Sequence, residues 1–200
     1  MNRIVVTVPH ASCGKDAIEN RKCDRRSEEA AIVLDNALNR RKIEHRLWIN
    51  TEVGRCICPM MDCRGMENSC IDMNRNSARN TEWRQELRRI LVEEKPEWVI
   101  DVHSFPQLEE TDKLSFGKDA VVVLLLETES ISSEIELLYN RLVRLLGKEH
   151  ALILRGEDND ILAEATELGI KNVLVEVHED TSILARTMLQ KIMDIVASVV

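Results

Sequence analysis

Two histidines stand where apolar runs end. Ile4-Val-Val-Thr-Val-Pro-His10 and Trp98-Val-Ile-Asp-Val-His103 both lead hydrophobic residues into an imidazole. A third run, Val173-Leu-Val-Glu-Val-His178, ends the same way and carries Glu176 inside it. A Val- and Ile-rich strand that stops at a polar side chain sets that side chain at the lip of a sheet. In open α/β sheets this lip, beyond the carboxyl ends of the strands, is where ligands and metals bind. Imidazole nitrogens and carboxylate oxygens are natural donors to a divalent ion. A carboxylate beside them can take a proton from water. Three such endings in one chain indicate a metal centre with hydrolytic chemistry.

The neighbours of these residues sharpen the reading. Strand side chains alternate, so Asp101 and His103 point to the same side of their strand. A carboxylate beside a histidine fixes its tautomer and aims it at a metal. An acid in a run as apolar as Trp98–His103 also needs a partner, because an unpaired buried charge is costly. Glu176 makes the same demand: it is paired, metal-linked or at the very end of its strand. His178 shares the face of Glu176 and is either a group supporting the site or a surface residue. A fourth cluster is Ile71-Asp-Met-Asn-Arg75, where Arg75 offers a planar fork suited to a carboxylate and Asn74 an amide donor.

These groups need strands and helices to hold them. Ile4–Val8 reads as the first strand, stopped by Pro9, which has no N–H to give a ladder. Apolar residues recurring at three and four predict a helix over 27–41, capped by Asp24 or Ser27. Strands are expected over 43–49, 98–103, 120–126, 150–154 and 173–177. Helices are expected over 81–94, 130–146 (stopped by Gly147), 161–168 (stopped by Gly169) and from Thr181 to the C-terminus, with Asp180 or Thr181 as the last cap. Residues 51–69, rich in Met and Cys, show no period and read as a binding loop or lid. The alternation of strand and helix predicts α/β: a three-layer α/β/α arrangement around a mostly parallel mixed sheet, in one domain spanning 1–200.

Composition excludes other classes. The net charge is −8 with no long basic block, and aromatic residues are only 3%, so neither nucleic acid nor an anionic membrane is an expected partner. No apolar run approaches the ~18 residues that span a bilayer, and Met-Asn-Arg-Ile-Val-Val lacks the form of a signal peptide. The expected location is cytoplasmic. Six cysteines, Cys13, Cys23, Cys56, Cys58, Cys63 and Cys70, lack the paired C-x2-C spacing of a structural zinc knuckle. They read as reduced thiols used as small hydrophobes, with a cysteine-based metal or redox function as the alternative.

Taken in order, Val8-Pro-His-Ala-Ser12, the acidic stretch Asp24–Glu29, Ile71-Asp-Met-Asn-Arg75, Val99-Ile-Asp-Val-His-Ser104 and Val173-Leu-Val-Glu-Val177 resemble the zinc carboxypeptidase-like hydrolases, and most closely the N-formylglutamate amidohydrolase family. The resemblance implies a zinc exopeptidase-like (phosphorylase/hydrolase-like) fold and one Zn2+ per chain. It implies His10 and His103 as ligands, with Glu28 as the third and Asp24, one helical turn earlier, as the competitor. It implies Glu176 as general base, Asn74 and Arg75 as binders of a substrate carboxylate, and Arg75 or Arg79 as the cation facing a developing oxyanion, with Ser104 also facing substrate and Asp101 and His178 supporting the site. The substrate implied is a small N-acyl amino acid or peptide-like amide carrying a carboxylate. A non-catalytic metal- or ligand-binding protein of the same fold is the other outcome.

Overall fold

The structure is a computed structural model, and it describes residues 4–11, 24–51, 73–105, 119–127, 131–156 and 159–200. Residues 52–69, Asp72, residues 108–118 and all six cysteines lie outside the described residues.

Six strands form one sheet: β1 (Ile4–Val8), β2 (His45–Ile49), β3 (Trp98–Phe105), β4 (Val122–Leu126), β5 (Ala151–Arg155) and β6 (Lys171–His178). Their order is β2-β1-β3-β6-β4-β5. The first four in that order run parallel, β4 lies antiparallel to β6, and β5 follows β4. The helices are α1 (Ser27–Arg40), α2 (Glu82–Glu94), α3 (Ser133–Leu146), α4 (Asp160–Glu167) and α5 (Arg186–Val196), with a short 3-10 turn at Asn76–Ala78. This is the mostly parallel mixed α/β sheet that the alternation predicts. Among the described residues, no helix is long and apolar enough to cross a membrane.

Alternation along the strands sorts the core into two sides. Ile4, Val6, Val8, Trp98, Ile100, Val102, Val173 and Val175 pack with buried residues of α1, α3 and α5. Val5 and Val99, on the opposite face, pack with Leu87, Ile90 and Leu91 of α2 and Ile161 and Ala165 of α4. The central strand β3 is buried at all eight positions, which is why it reads as a nearly unbroken apolar run. The acid and the histidine in it sit on the α2/α4 face, beyond the end of that apolar layer.

Two helix starts differ from expectation. The N-cap of α1 is Arg26, with no side-chain cap. The Asp24 carboxylate faces His10 and His103 instead, and the Ser27 hydroxyl turns back to the Asp24 carbonyl. At the far end, residues after Asp180 form a turn before the helix. Ile183 and Leu184 donate their N–H groups to the Asp180 carbonyl, and Ser182 donates to the Asp180 carboxylate. The helix therefore begins at Arg186, not Thr181. Two helix ends are as the sequence suggests: Thr81 accepts from Arg84 N–H, and Gly147 ends α3 at φ 102°; α3 and α4 start at caps, Ser132 and Asn159, that the spacing does not pick out.

Candidate metal centre

The parallel strands β1, β3 and β6 end side by side, and the polar residues of the three endings gather there. His10 follows β1 and is buried; His103 is buried near the end of β3; Asp24, on the approach to α1, is buried beside them. The Asp24 backbone N–H donates to the His10 carbonyl (3.1 Å), tying the two segments together. Asp24 Oδ2 lies 2.8 Å from His103 Nδ1 and 3.4 Å from His10 Nδ1. The imidazole rings meet edge to face, with centroids 4.8 Å apart.

Donor atoms of His10, Asp24 and His103 all lie within 4.8 Å of one another. Two imidazoles and one carboxylate form the donor set of a catalytic zinc site, which keeps three protein ligands and leaves a position for water. A tetrahedral zinc with bonds of about 2.0–2.1 Å spaces its ligand atoms by about 3.3 Å. The separations of 2.8 and 3.4 Å around Asp24 Oδ2 bracket that spacing. The three donors, all within 4.8 Å of one another, make a group whose chemistry could hold a divalent ion.

The far side of His103 is equally built. Nε2 lies 3.0 Å from Asp101 Oδ2, the carboxylate–histidine contact that orients a ligating imidazole. Asp101 is fully buried and surrounded by donors. Thr7 Oγ1 donates to Oδ1 (2.7 Å), and Asn159 Nδ2 donates to Oδ2 (2.8 Å). Asn74 Nδ2 lies 3.4 Å from Oδ2 and 2.9 Å from His103 Nε2.

The electrostatics follow from this sandwich. Burial works against charge on Asp24, yet its hydrogen bonds with His10 and His103 and their positive charge hold the carboxyl well below the usual range. Burial likewise disfavours the Asp101 anion, and the charge and hydrogen bond of His103, with Thr7 and Asn159, hold its pKa down. Burial would neutralise His103, but the two flanking carboxylates outweigh it and raise its pKa well above the ordinary value. A carboxylate at each nitrogen thus favours a proton on the ring.

The remaining sequence candidates are placed as follows. Glu176 is the register partner of His103 on the neighbouring parallel strand, so both side chains leave the same face of the sheet. It is partly buried. His178, buried, pairs in register with Phe105 and packs edge-on against that ring, 5.2 Å between centroids. Its Nδ1 accepts the Asp180 backbone N–H (3.0 Å). Arg75 and Arg79 are exposed on the turn that carries Asn74, with Arg79 Nη2 4.0 Å from Asp160.

Three candidates stand differently from expectation. Glu28 is exposed on the outer side of α1, in a groove with Glu29, Arg25 and Arg186. Asp24 is the carboxylate beside the histidines, because the chain turns into α1 only after it has passed them. Ser104 lies on the opposite parity from His103. Its hydroxyl accepts from Arg26 N–H (3.1 Å) and donates to Glu179 Oε1 (3.0 Å), so it secures the start of α1. Asn74 is buried against Asp101 and His103, not turned to solvent.

Sequence reasoning missed several residues of the site. Thr7 breaks the apolar run of β1 as Asp101 breaks that of β3, and their register pairing makes them neighbours. Alternation could have flagged it. Arg26, buried, donates from Nη1 to the carbonyls of Leu184 (2.6 Å) and His178 (3.3 Å). Glu179 accepts the Arg25 N–H (2.8 Å). These contacts fix the turn that presents Asp24. Arg84, buried in α2, donates to the Met73 carbonyl (2.7 Å) and to Glu164 (3.2 Å), pinning the Asn74 segment to α4.

No family model matches the sequence, and no curated protein does. Solved structures match in fold. The catalytic domain of CwlV, an N-acetylmuramoyl-L-alanine amidase from Bacillus (Paenibacillus) polymyxa, superposes at TM-score 0.58 and 11% identity, covering 98% of this chain and 94% of that one. The CwlD amidase of Clostridioides difficile gives 0.59 and 11%, covering 98% and 95%. N-formylglutamate amidohydrolase from Ralstonia eutropha gives 0.54 and 12%, covering 98% and 93%. At these identities the likeness is one of fold: this chain shares the architecture of amidases and amidohydrolases over nearly its whole length.

Proposed function

We propose that this protein is a zinc-dependent amidohydrolase that cleaves the amide of a small N-acyl amino acid or peptide-like substrate. The observation that carries the reading is the buried His10–Asp24–His103 group with Asp101 behind His103. Buried carboxylates and imidazoles so arranged cost stability unless they serve a charge, and an ion between them is the charge they suit. The solved amidases and the amidohydrolase of this fold support amide cleavage as the reaction.

His10, Asp24 and His103 would hold the ion through two imidazole nitrogens and one carboxylate oxygen. When bound there, zinc polarises a carbonyl and lowers the pKa of a water to near 7. Asp101 would keep the remaining ring proton of His103 on Nε2, leaving Nδ1 unprotonated to hold the ion. Glu176, beside His103 on the next strand, takes a proton from the attacking water and returns it to the leaving amine nitrogen. Arg75 and Arg79, exposed next to Asn74, supply positive charge for a substrate carboxylate and for the charge that develops on the carbonyl oxygen. Asn74 Nδ2 donates to Asp101 Oδ2 and so steadies the acid behind His103, and Ser104 serves Asp24 through α1.

The experiment pairs metal content with hydrolysis of a panel of N-acyl amino acids and muramoyl-peptide amides. The expected result is one zinc per chain, retained in Cys58→Ala and lost in His103→Ala. Hydrolysis should drop about 10²- to 10⁴-fold in Glu176→Gln at unchanged zinc content. Zinc that leaves with Cys58 and stays without His103 would point to the cysteine-based alternative. A zinc-loaded protein inert across the whole panel would point to a binding protein.

A further inference from the structure

Asn159 has two jobs on one side chain. Its Oδ1 accepts the backbone N–H groups of Ile161 (2.9 Å) and Leu162 (3.1 Å), capping α4. Its Nδ2 donates to Asp101 Oδ2 (2.8 Å). Backbone N–H groups can only donate, so they fix which end of the amide is oxygen, and the NH2 end must face Asp101. The side chain is buried. It cannot flip without breaking the cap, and α4 cannot shift without dragging the amide off Asp101.

Asp101 is held from its other oxygen by Thr7. Its two oxygens are thus set by donors from β1 and from the start of α4. What remains of Oδ2 points at His103 Nε2. The backbone strengthens the coupling, because Asp160 N–H donates to the Asn74 carbonyl (2.8 Å). The start of α4 therefore grips both residues that touch His103 Nε2.

We infer that Asn159 is a positioning residue for the metal centre: through its α4 cap it locks Asp101, and through Asp101 it fixes the tautomer and aim of the His103 ring. This rests on the reading of His10–Asp24–His103 as a metal site and goes beyond it, since Asn159 touches neither the ion nor substrate. It also gives α4 a role that its packing against β6 alone would not require.

Two substitutions separate the cap from the amide donor. Asn159→Ser keeps a hydroxyl oxygen for the cap and removes the NH2 group. Asn159→Asp keeps the cap and sets a carboxylate against Asp101. Ser and Asp are both strong N-caps, so the cap on α4 is kept, and any loss of melting temperature in the zinc-free fold reflects the lost donor to buried Asp101, larger in the Asp variant. Zinc affinity, measured by competition with a chromophoric chelator at pH 7.5, should fall by about 10- to 100-fold in each, the range for loss of groups that orient a metal ligand. The Asp variant should be the weaker. Cobalt(II) in place of zinc should show a weakened or shifted visible absorption in both, which a purely structural role for the cap would not produce.

Wild type and His103→Ala are measured alongside. Wild-type zinc affinity in both Asn159 variants, while His103→Ala loses the metal, overturns this inference and leaves the metal site standing. A loss of zinc affinity with an unchanged cobalt(II) spectrum overturns it as well, since that would reflect stability alone. Equal zinc binding by wild type and His103→Ala overturns the metal reading and the inference with it.

Discussion

Asp24 and Glu28 compete for the third ligand position, and the geometry separates them. Asp24 Oδ2 touches both imidazoles, whereas Glu28 is exposed one turn along. Replacing Asp24 by Asn keeps the shape of the side chain but removes the charge that holds a cation. A ligand that binds only the folded state stabilises it by about 2.7 kcal/mol at a hundredfold excess over its dissociation constant. For a chain of this length, each kcal/mol moves the melting temperature by about 2–4 °C. Zinc at that excess should therefore raise the wild-type melting temperature by about 5–11 °C. In Asp24→Asn the zinc-dependent rise should vanish. In Glu28→Gln it should be intact, and the zinc-free melting point should move by no more than surface substitutions do, within about 0.5 kcal/mol. The assay is thermal unfolding by circular dichroism with and without zinc, at matched ionic strength, with metal content measured after gel filtration. A zinc-dependent rise that survives Asp24→Asn and disappears in Glu28→Gln would refute the ligand assignment drawn from these distances.

Two further predictions concern the frame around the site. Arg84→Met leaves Glu164 and the Met73 carbonyl without their buried donor, and removal of one partner of a buried ion pair costs about 3–5 kcal/mol; exposed Arg88, 3.3 Å from Glu164, offsets part of this. Urea unfolding that gives the wild-type midpoint would contradict the pinning of the Asn74 segment to α4. His178 is the second case. Burial, reinforced by Arg26 and opposed by Asp180 and Glu179, pushes its pKa below 6.5, and its Nδ1 already accepts the Asp180 N–H. Below pH 6.5 the unfolded chain then binds more protons at this residue than the folded one, so its contribution to stability falls as pH drops through that value toward the folded pKa. An NMR titration that puts the His178 midpoint at or above 6.5 would reverse that sign.

The strands were legible because β1, β3 and β6 are buried on both faces, and burial on both faces writes itself as unbroken Val, Ile and Leu. A polar residue inside such a run is conspicuous, which is how Asp101 and Glu176 stand out. Helix starts were less legible, for a physical reason: the residues with good capping chemistry are also the residues with good ligand chemistry. Asp24 reads as a cap and faces two imidazoles instead. The resemblance puts Glu28 ahead of it, since an acid just before the apolar stretch is what the family carries; only the path of the chain past His10 brings Asp24 to the histidines instead. Arg26, Arg84 and Asn159 were not legible at all. Each works through carbonyls or carboxylates remote in sequence, as Asn159 does with Asp101 58 positions away, and no local spacing encodes that.

The division of labour along β3 explains why one strand can carry so much of the centre. Trp98, Ile100 and Val102 enter the core shared with α1 and α5, while Val99 enters the α2/α4 core. Asp101 and His103 follow Val99 on the same parity, so the strand delivers an imidazole and the acid that orients it from positions two apart, with no loop between them. Such a pair is only as rigid as what surrounds the acid, and Thr7 reaches it from β1 while Asn159 reaches it from α4. The opposite parity is used at Ser104, whose hydroxyl secures the backbone that brings Asp24 in from the α1 side. His103 and Asp24 thus meet from two sides of the sheet. The turn carrying Arg75 and Arg79 presents exposed charge beside Asn74 and the centre. Substrate preference in this protein should accordingly change with substitutions on that turn, while metal affinity should change with substitutions at the acid-supporting residues beneath it.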